Sequence, residues 1–486
     1  MKKAIDVKIN IRPVYSNLVH TDIWEGPCRV GPAELLDPTY EKRAGLEQFS
    51  MLKERLEANL DLRFCHIMDP VYIEWDESFV VRDEQLDQLN KDIADVDVFL
   101  INYRVPGIEK FGKTISMIDI SPTSLDLVAF YRTIGVDAFF GSDYEEYNYG
   151  IFLRYVRKAV ANTKWLILSS GEQLTESVNC CIRDLYSLTQ KYGIRNNRLP
   201  MGTVFDLMEQ MEMTDAMRQE AEMLLESASA PNKMGPDRVS CDIKFREAVW
   251  KLMERYDCNG FTINCKALCA SQRPWKHKIT PCLCHSMNKD MGIPSACEED
   301  TNALLTMTMF TYMSQKAIYM ANPQIVKGGT RTYENLHIPC DPEDKQKLYP
   351  DTLLELHHAV PSRKMAGYDK PDLPYFLSPF TEEGFGTRFQ IDVTQDAPEE
   401  IVTLARFNMA GDAMIVAKAH FVGTHMRDSY CSPYSWLTMD GDVSKFRHRL
   451  ADGGYGAHLC MAYGDYVSQW QDLGELMGFK VEYFHG

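Results

Sequence analysis

Ile293-Pro294-Ser295-Ala296-Cys297-Glu298-Glu299-Asp300-Thr301-Asn302-Ala303-Leu304-Leu305-Thr306-Met307 begins the stretch from which the rest of the chain is read. A short apolar approach ends in three consecutive acids, and an apolar run (Leu304, Leu305, Met307, Met309, Phe310, Met313) follows. That spacing predicts a helix with Asp and Thr in its first turn, where negative charge meets the positive end of the helix dipole. Capping alone would account for Glu298 and Asp300. A second apolar run, Lys316 to Met320, leads to Asn322. Strand, helix and strand in succession place Glu298 and Asn322 at the carboxyl edges of neighbouring parallel strands, where α/β sheets assemble their ligand sites.

Outward from this stretch the same alternation recurs. Ile5 to Val14, Leu62 to Met68, Val96 to Asn102 and Thr114 to Ile120 read as strands, with helices between them, including one over Tyr40 to Asn59 and one over Tyr144 to Thr163. A parallel sheet covered on both faces follows, in a Rossmann-like domain over 1–163. No Gly-x-Gly-x-x-Gly follows the first strand, so a dinucleotide site is not indicated. A second α/β domain over 164–345 starts at Trp165 to Ser169, is helical from Glu176 to Arg255, and adds strands at Gly260 to Asn264 and around Pro281 to His285 before reaching Glu298 and Asn322. Ser169-Ser170-Gly171-Glu172 is a weak likeness of a phosphate loop and is read as a strand-to-helix turn.

The passage Lys327 to Tyr349, rich in Pro, Gly and charge, marks the next boundary. Beyond it Leu353 to Val360, Thr387 to Val393, Ile401 to Asn408 and Ala413 to Phe421 are β-like runs without helices between them. A mainly antiparallel C-terminal domain over 346–486 is expected, a barrel or sandwich. It carries His458 in Gly-Gly-Tyr-Gly-Ala-His and closes with a helix to Met477 and a strand, Phe479 to Phe484.

The formal charge of -17 argues against nucleic acid as a partner, since such surfaces need clustered Lys and Arg. No run reaches the 18 or so apolar residues of a membrane span, and the first residues lack the apolar core of a secretory signal, so a cytoplasmic protein is expected. Its 14 cysteines then read as reduced thiols. Six of them crowd together (Cys258, Cys265, Cys269, Cys282, Cys284, Cys297) with His277 and His285, but without a Cys-x-x-Cys pair they read as small buried residues ahead of a zinc site.

Ala296-Cys297-Glu298-Glu299-Asp300, with Ala-Leu-Leu-Thr-Met after it, resembles the segment of the L-fucose isomerase and L-arabinose isomerase family that carries a metal-binding catalytic glutamate. Ile9-Asn10-Ile11-Arg12-Pro13 resembles the opening of the same family. The resemblance implies metal-dependent aldose–ketose isomerisation of a deoxy-, pentose- or modified sugar, with Glu298 and Asn322 as catalytic groups. Glu298, Asn322 and His458 would hold the divalent metal, Mn²⁺ first, with Mg²⁺ or Co²⁺ as alternatives. It also implies a homo-oligomer, a hexamer, in which Arg12 reaches a neighbour's cleft, and a role for His357 of Glu-Leu-His-His-Ala-Val-Pro in contacting substrate. Tyr434, Trp436 and Arg427 are further candidates for sugar contacts, because aromatic faces stack on the apolar faces of sugars.

Two oxygen ligands and one imidazole suit a hard, near-octahedral cation better than a closed tetrahedral zinc site. The departure lies at Asn322, where the family carries a carboxylate: an amide oxygen brings no charge and accepts no proton in the way a base does. A non-catalytic sugar-binding relative is therefore the competing expectation.

Overall fold

The computed structural model describes residues 2–23, 37–78, 80–171, 181–327, 352–394, 401–426 and 431–486. Arg427 and most of the boundary passage at 328–351 lie outside the described residues. The chain divides into two units, one of Val7–Lys158 and one of Met1–Asp6 with Ala159–Gly486.

The first unit is built on a parallel sheet of β1 (Ile9–Leu18), β2 (Cys65–Ile67), β3 (Val71–Trp75), β4 (Val98–Ile101), β5 (Thr114–Ile118) and β6 (Ala138–Gly141). Strands β2 and β3 share one edge of β1, pairing with Ile9–Ile11 and Val14–Leu18 respectively, and β4 takes the other edge. All four residues of β4 are buried, as expected of a strand covered on both faces. The expected helix over 40–59 is two helices, Pro38–Ser50 and Leu52–Asn59, meeting at Met51.

Arg12 sits in β1 between Ile11 and Pro13 and is 4% exposed. Its Nη2 lies 3.9 Å from the Met68 sulfur and 3.9 Å from a carboxylate oxygen of Asp92, so the guanidinium is turned into its own unit.

In the second unit β7 (Lys164–Ser169), β8 (Arg195–Pro200), β9 (Gly260–Ile263) and β10 (Ser295–Cys297) form a parallel sheet in the order β10-β9-β7-β8. Strand β8 falls where the sequence reads as helix. Arg-Asn-Asn-Arg-Leu-Pro has no apolar alternation, because it is an edge strand with no fully buried residue. Conversely, the stretch read as a strand around Pro281 to His285 opens the helix Cys282–Asp290. Its residues from Cys282 to Lys289 are all buried, so no polar face betrays the helical period.

The remaining strands are β11 (Tyr319–Lys327), β12 (Thr352–His357), the hairpin β13 (Tyr375–Pro379) and β14 (Thr387–Ile391), then β15 (Ile401–Phe407), β16 (Ala413–His425), β17 (Tyr434–Met439), β18 (Leu459–Tyr463) and β19 (Lys480–Phe484). Six of them pair antiparallel in the order β15-β18-β11-β12-β17-β16, and a further β15–β16 pairing closes the ring into a barrel, with β19 added in parallel on β16. Closure leaves these six strands without an open edge.

Strand β11 corrects the placement of Asn322. It pairs antiparallel with β12 and β18 and belongs to the barrel, so Asn322 does not stand at the end of a parallel strand beside Glu298. After the helix the chain changes sheets, and β11 fills the place between β18 and β12 that closes the barrel.

Helix Thr301–Ser314 connects the two sheets. Every one of its residues is buried, and it packs on β9 and β10 as well as on β15 and β18. Burial all round explains an apolar run with no amphipathic stripe. Two of its polar side chains bond across to β15: Thr306 Oγ1 accepts from Phe407 N (3.0 Å) and Asn302 Nδ2 donates to Phe407 O (3.1 Å). Among the described residues no helix is long and apolar enough to cross a membrane.

Candidate metal centre

Glu298 is the first residue past β10, at the carboxyl end of a parallel strand, as its place in the sequence implies. It and Glu299 both have left-handed backbones, φ +63° and +56°. Such conformations press Cβ against the following carbonyl and are uncommon outside glycine, so the turn is held by its surroundings. It points the two carboxylates apart. Glu299 is buried and accepts from Asn264 Nδ2 (3.0 Å), whereas Glu298 is directed toward two histidines.

Glu298 Oε1 lies 3.9 Å from His358 Nε2 and 3.9 Å from His458 Nε2. One ligand atom from each of the three residues lies within 4.8 Å of the others. Two bonds of about 2.2 Å span up to about 4.4 Å, so each of the two 3.9 Å separations from Glu298 can be bridged by one cation. His358 and His458 are each 2% exposed, with their rings 5.5 Å apart and near perpendicular. On the far side of the carboxylate, Glu298 Oε2 is 3.5 Å from Lys266 Nζ.

Asp300 sets the tautomer of His458. Its Oδ1 accepts from Ala303 N (2.8 Å) and caps the buried helix, as the sequence implies, while Oδ2 accepts from His458 Nδ1 (2.8 Å). A proton held on Nδ1 leaves the Nε2 lone pair facing Glu298, which is the arrangement a metal-binding histidine needs. Burial alone would raise the Asp300 pKa, but the Arg406 guanidinium and His458 outweigh it and hold the carboxyl below its usual range. Arg406, on β15 and fully buried, donates from Nη2 to Asp300 Oδ2 (2.8 Å), from Nη1 to His458 O (2.8 Å) and from Nε to Tyr455 O. It thereby fixes the His458 backbone, itself left-handed at φ +67°.

His358 is held differently. Its Nε2 is buried without a hydrogen-bond partner, and Ala359 N approaches Nδ1 at 3.0 Å. That contact must loosen when Nε2 takes up a cation, because ligation through Nε2 leaves the proton on Nδ1. Burial, with His458 and His357 nearby, pushes the His358 pKa well below its ordinary value, so the ring is neutral, and its proton must move from Nε2 to Nδ1 before Nε2 ligates. Buried Lys289 donates to Val360 O, and desolvation lowers its pKa to about 8.

Asn322 lies half-buried on β11, directly opposite His357. The β11–β18 pairing sets Ala321 against Leu459, so the next step along brings Asn322 toward His458. His357 in turn faces Tyr434, their rings stacked at 4.9 Å, and Glu355 faces Trp436, whose Nε1 donates to Glu355 Oε2 (2.9 Å). The barrel register therefore places Asn322, His357 and Tyr434 on one rung and Glu355 and Trp436 on the next rung of the same face. Tyr434 and Trp436 are strand residues packed against Val326 and Leu353.

Sequence reasoning missed His358, Glu355 and Arg406. His358 stands next to a residue that was singled out, and only the strand register separates the face of His357 from that of His358. Arg406 lies in an apolar run, where a lone Arg is itself a sign of a buried charge partner.

A second group lies one residue upstream of Glu298. Cys265, Cys297 and His285 bring one ligand atom each within 4.8 Å of one another, with the two sulfurs 2.6 Å apart. His285 Nδ1 is 2.8 Å from Ser295 Oγ, and burial lowers the ring's pKa to about 3. Among the described residues each of the two groups has three members, and three ligands leave open positions, unlike the closed four-ligand sites of structural zinc.

Compared with known proteins, the sequence matches no family model and no curated protein.

Asp300→Asn tests the role of the second carboxylate. It keeps the shape but not the charge that holds His458 in its tautomer, and metal affinity is expected to fall by about 10- to 100-fold. Isothermal titration with Mn²⁺ reads the change.

Proposed function

We propose that the protein is a metal-dependent aldose–ketose isomerase acting on an open-chain sugar, with Glu298, His358 and His458 holding the divalent cation. The observation that carries this reading is the convergence of Glu298 Oε1 on two histidine Nε2 atoms at 3.9 Å each. One carboxylate and two imidazoles leave positions for two sugar oxygens and suit Mn²⁺ or Co²⁺ better than Mg²⁺, which prefers an all-oxygen set. His358 takes the place in this ligand set that the sequence reading assigns to Asn322.

A divalent cation bound there supplies Lewis-acid stabilisation of the negative charge that grows on the sugar oxygens as the proton leaves carbon. The chain supplies the rest. Glu298, beside Lys266, is the carboxylate placed to hold or pass a proton between C1 and C2. The face carrying His357, Tyr434, Glu355 and Trp436 offers stacking surface and hydrogen-bond partners for the sugar's hydroxyls and apolar faces. Arg12 and a hexameric assembly belong to the same proposal through the family resemblance, and Arg427 and the Rossmann-like character of the parallel-sheet domains through the sequence pattern.

The reading is tested with purified protein, Mn²⁺ and a panel of deoxy- and pentose aldoses in deuterated water. Ketose formation with solvent deuterium entering C1 or C2 is expected. Saturable sugar binding without exchange identifies the non-catalytic relative instead. His358→Gln should lower metal affinity in calorimetry, whereas Asn322→Ala, if Asn322 ligates, should do so equally; unchanged affinity in the second variant assigns the ligand set to Glu298, His358 and His458.

A further inference from the structure

The parallel sheet of the second unit has a further cavity at its opposite end. Ser169, Ser170 and Gly171 at the end of β7, Arg198 on β8, Gly202 and Arg273 line a space of about 540 Å³, a size that accommodates a small metabolite. The sheet order β10-β9-β7-β8 puts three strand spacings, about 14 Å, between this place and the strand that leads to Glu298. It is a separate site on the same carboxyl edge, where parallel sheets bind ligands.

Its charge is what distinguishes it. Among the described residues two arginines line the cavity and no acidic residue does, in a chain of formal charge -17. Arg198 Nη2 donates to Gly171 O (2.6 Å) and Ser169 Oγ (3.3 Å), which fixes the guanidinium across the strand ends, and its Nε is buried without a partner. Arg273 lies over the Phe205 ring at 5.3 Å, and a Cβ on Gly202 would sit 3.2 Å from its Nη2. Gly202 begins the helix Gly202–Gln210, whose first turn has no side-chain cap. Uncapped amides, a close-lying glycine and two guanidiniums thus meet at one cavity. Guanidiniums in fixed positions match the paired oxygens of phosphate, and amides at a helix start add to the same field.

We propose that this cavity binds the phosphate group of a small metabolite, at a site distinct from the metal centre. Ser169-Ser170-Gly171, a weak likeness of a phosphate loop in sequence, forms one wall of it. The ligand is a phosphate monoester or the phosphate chain of a nucleotide, and both present the same oxygens to Arg198 and Arg273.

The test titrates the full-length protein with inorganic phosphate, pyrophosphate, ribose 5-phosphate and ADP, each against chloride at equal ionic strength, by calorimetry and thermal unfolding. Saturable binding absent with chloride is expected, weakened at least tenfold by Arg273→Gln and by Arg198→Gln, with Mn²⁺ affinity unchanged in both. Arg273→Lys keeps charge but not the fork and should fall between; it also serves if a Gln variant fails to fold. Tighter binding of ribose 5-phosphate than of ADP and pyrophosphate assigns a monoester, and the reverse a nucleotide. The proposal is overturned if phosphate acts no differently from chloride, if binding survives both Gln variants, or if those variants instead dissociate an oligomer and phosphate has no effect. Because metal affinity is read separately, failure here leaves the isomerase reading standing, and failure of that reading leaves this one.

Discussion

Glu298→Gln is expected to weaken Mn²⁺ binding by at least about a hundredfold and to abolish any isomerase turnover, while the protein stays folded. Glu298 is the one carboxylate in the three-residue group, so its loss removes all the ligand charge that favours a hard cation. Partners that merely orient a ligand are worth about 10- to 100-fold in affinity, and a charged ligand should matter at least as much. Stability should change little, since the neutral amide keeps the shape and escapes the cost of desolvating a charge. Calorimetric titration of Mn²⁺, with thermal unfolding of the metal-free protein as the control, reads both effects. Equal Mn²⁺ affinity in wild type and variant would remove Glu298 from the ligand set and with it the basis of the proposed chemistry.

The second large effect is expected on stability. Arg406→Met leaves Asp300 buried without its guanidinium partner, and both residues are 0% exposed. Removing one member of a buried ion pair costs about 3–5 kcal/mol, here together with two hydrogen bonds to the carbonyls of His458 and Tyr455. Urea unfolding at neutral pH should show the loss as a lower midpoint.

The pH dependence has a definite sign. In the wild type the Asp300 pKa lies below its ordinary 3.8, so its contribution is present above that value and is lost as the pH falls through the lower, folded one. In the variant the largest lowering influence is gone and burial is opposed only by His458 and the Ala303 amide, so the folded value shifts upward and the acid-side loss of stability should be smaller than in the wild type. The two proteins converge on acidification. Asp300→Asn in the Arg406→Met background should recover much of the loss, since no unpaired charge then remains. A variant as stable as the wild type at neutral pH would mean that the pair is not buried as described.

Much of this was legible in the sequence, for reasons that differ by region. Strands buried on both faces, such as Val98–Ile101, and antiparallel strands such as Ile401–Phe407 announce themselves by mainly apolar character, and the alternation of strands with helices fixes a parallel sheet. The position of Glu298 at a strand end and the capping by Asp300 follow from three acids set between two apolar runs. What was not legible is which sheet a short apolar strand joins. Nothing local to Tyr319–Lys327 distinguishes a parallel neighbour of β10 from a barrel strand, because that depends on partners as distant as β12 and β18. The misreading put Asn322 on the parallel edge, and the missing register hid His358. Helix Cys282–Asp290 was misread for the opposite reason: complete burial erased its period.

The left-handed backbones at Glu298, Glu299 and His458 bear on how the protein would change if its chemistry were ignored. Each strained position is relaxed by glycine, a gain on the order of 1 kcal/mol. A laboratory selection for sturdiness alone would therefore be drawn to Glu298→Gly, and its winners would outlast the parent on heating while holding no metal, whereas at His458 the loss of the buried ring and its bond to Asp300 outweighs the relief. The easiest improvement to the scaffold and the loss of its centre lie at the same residue.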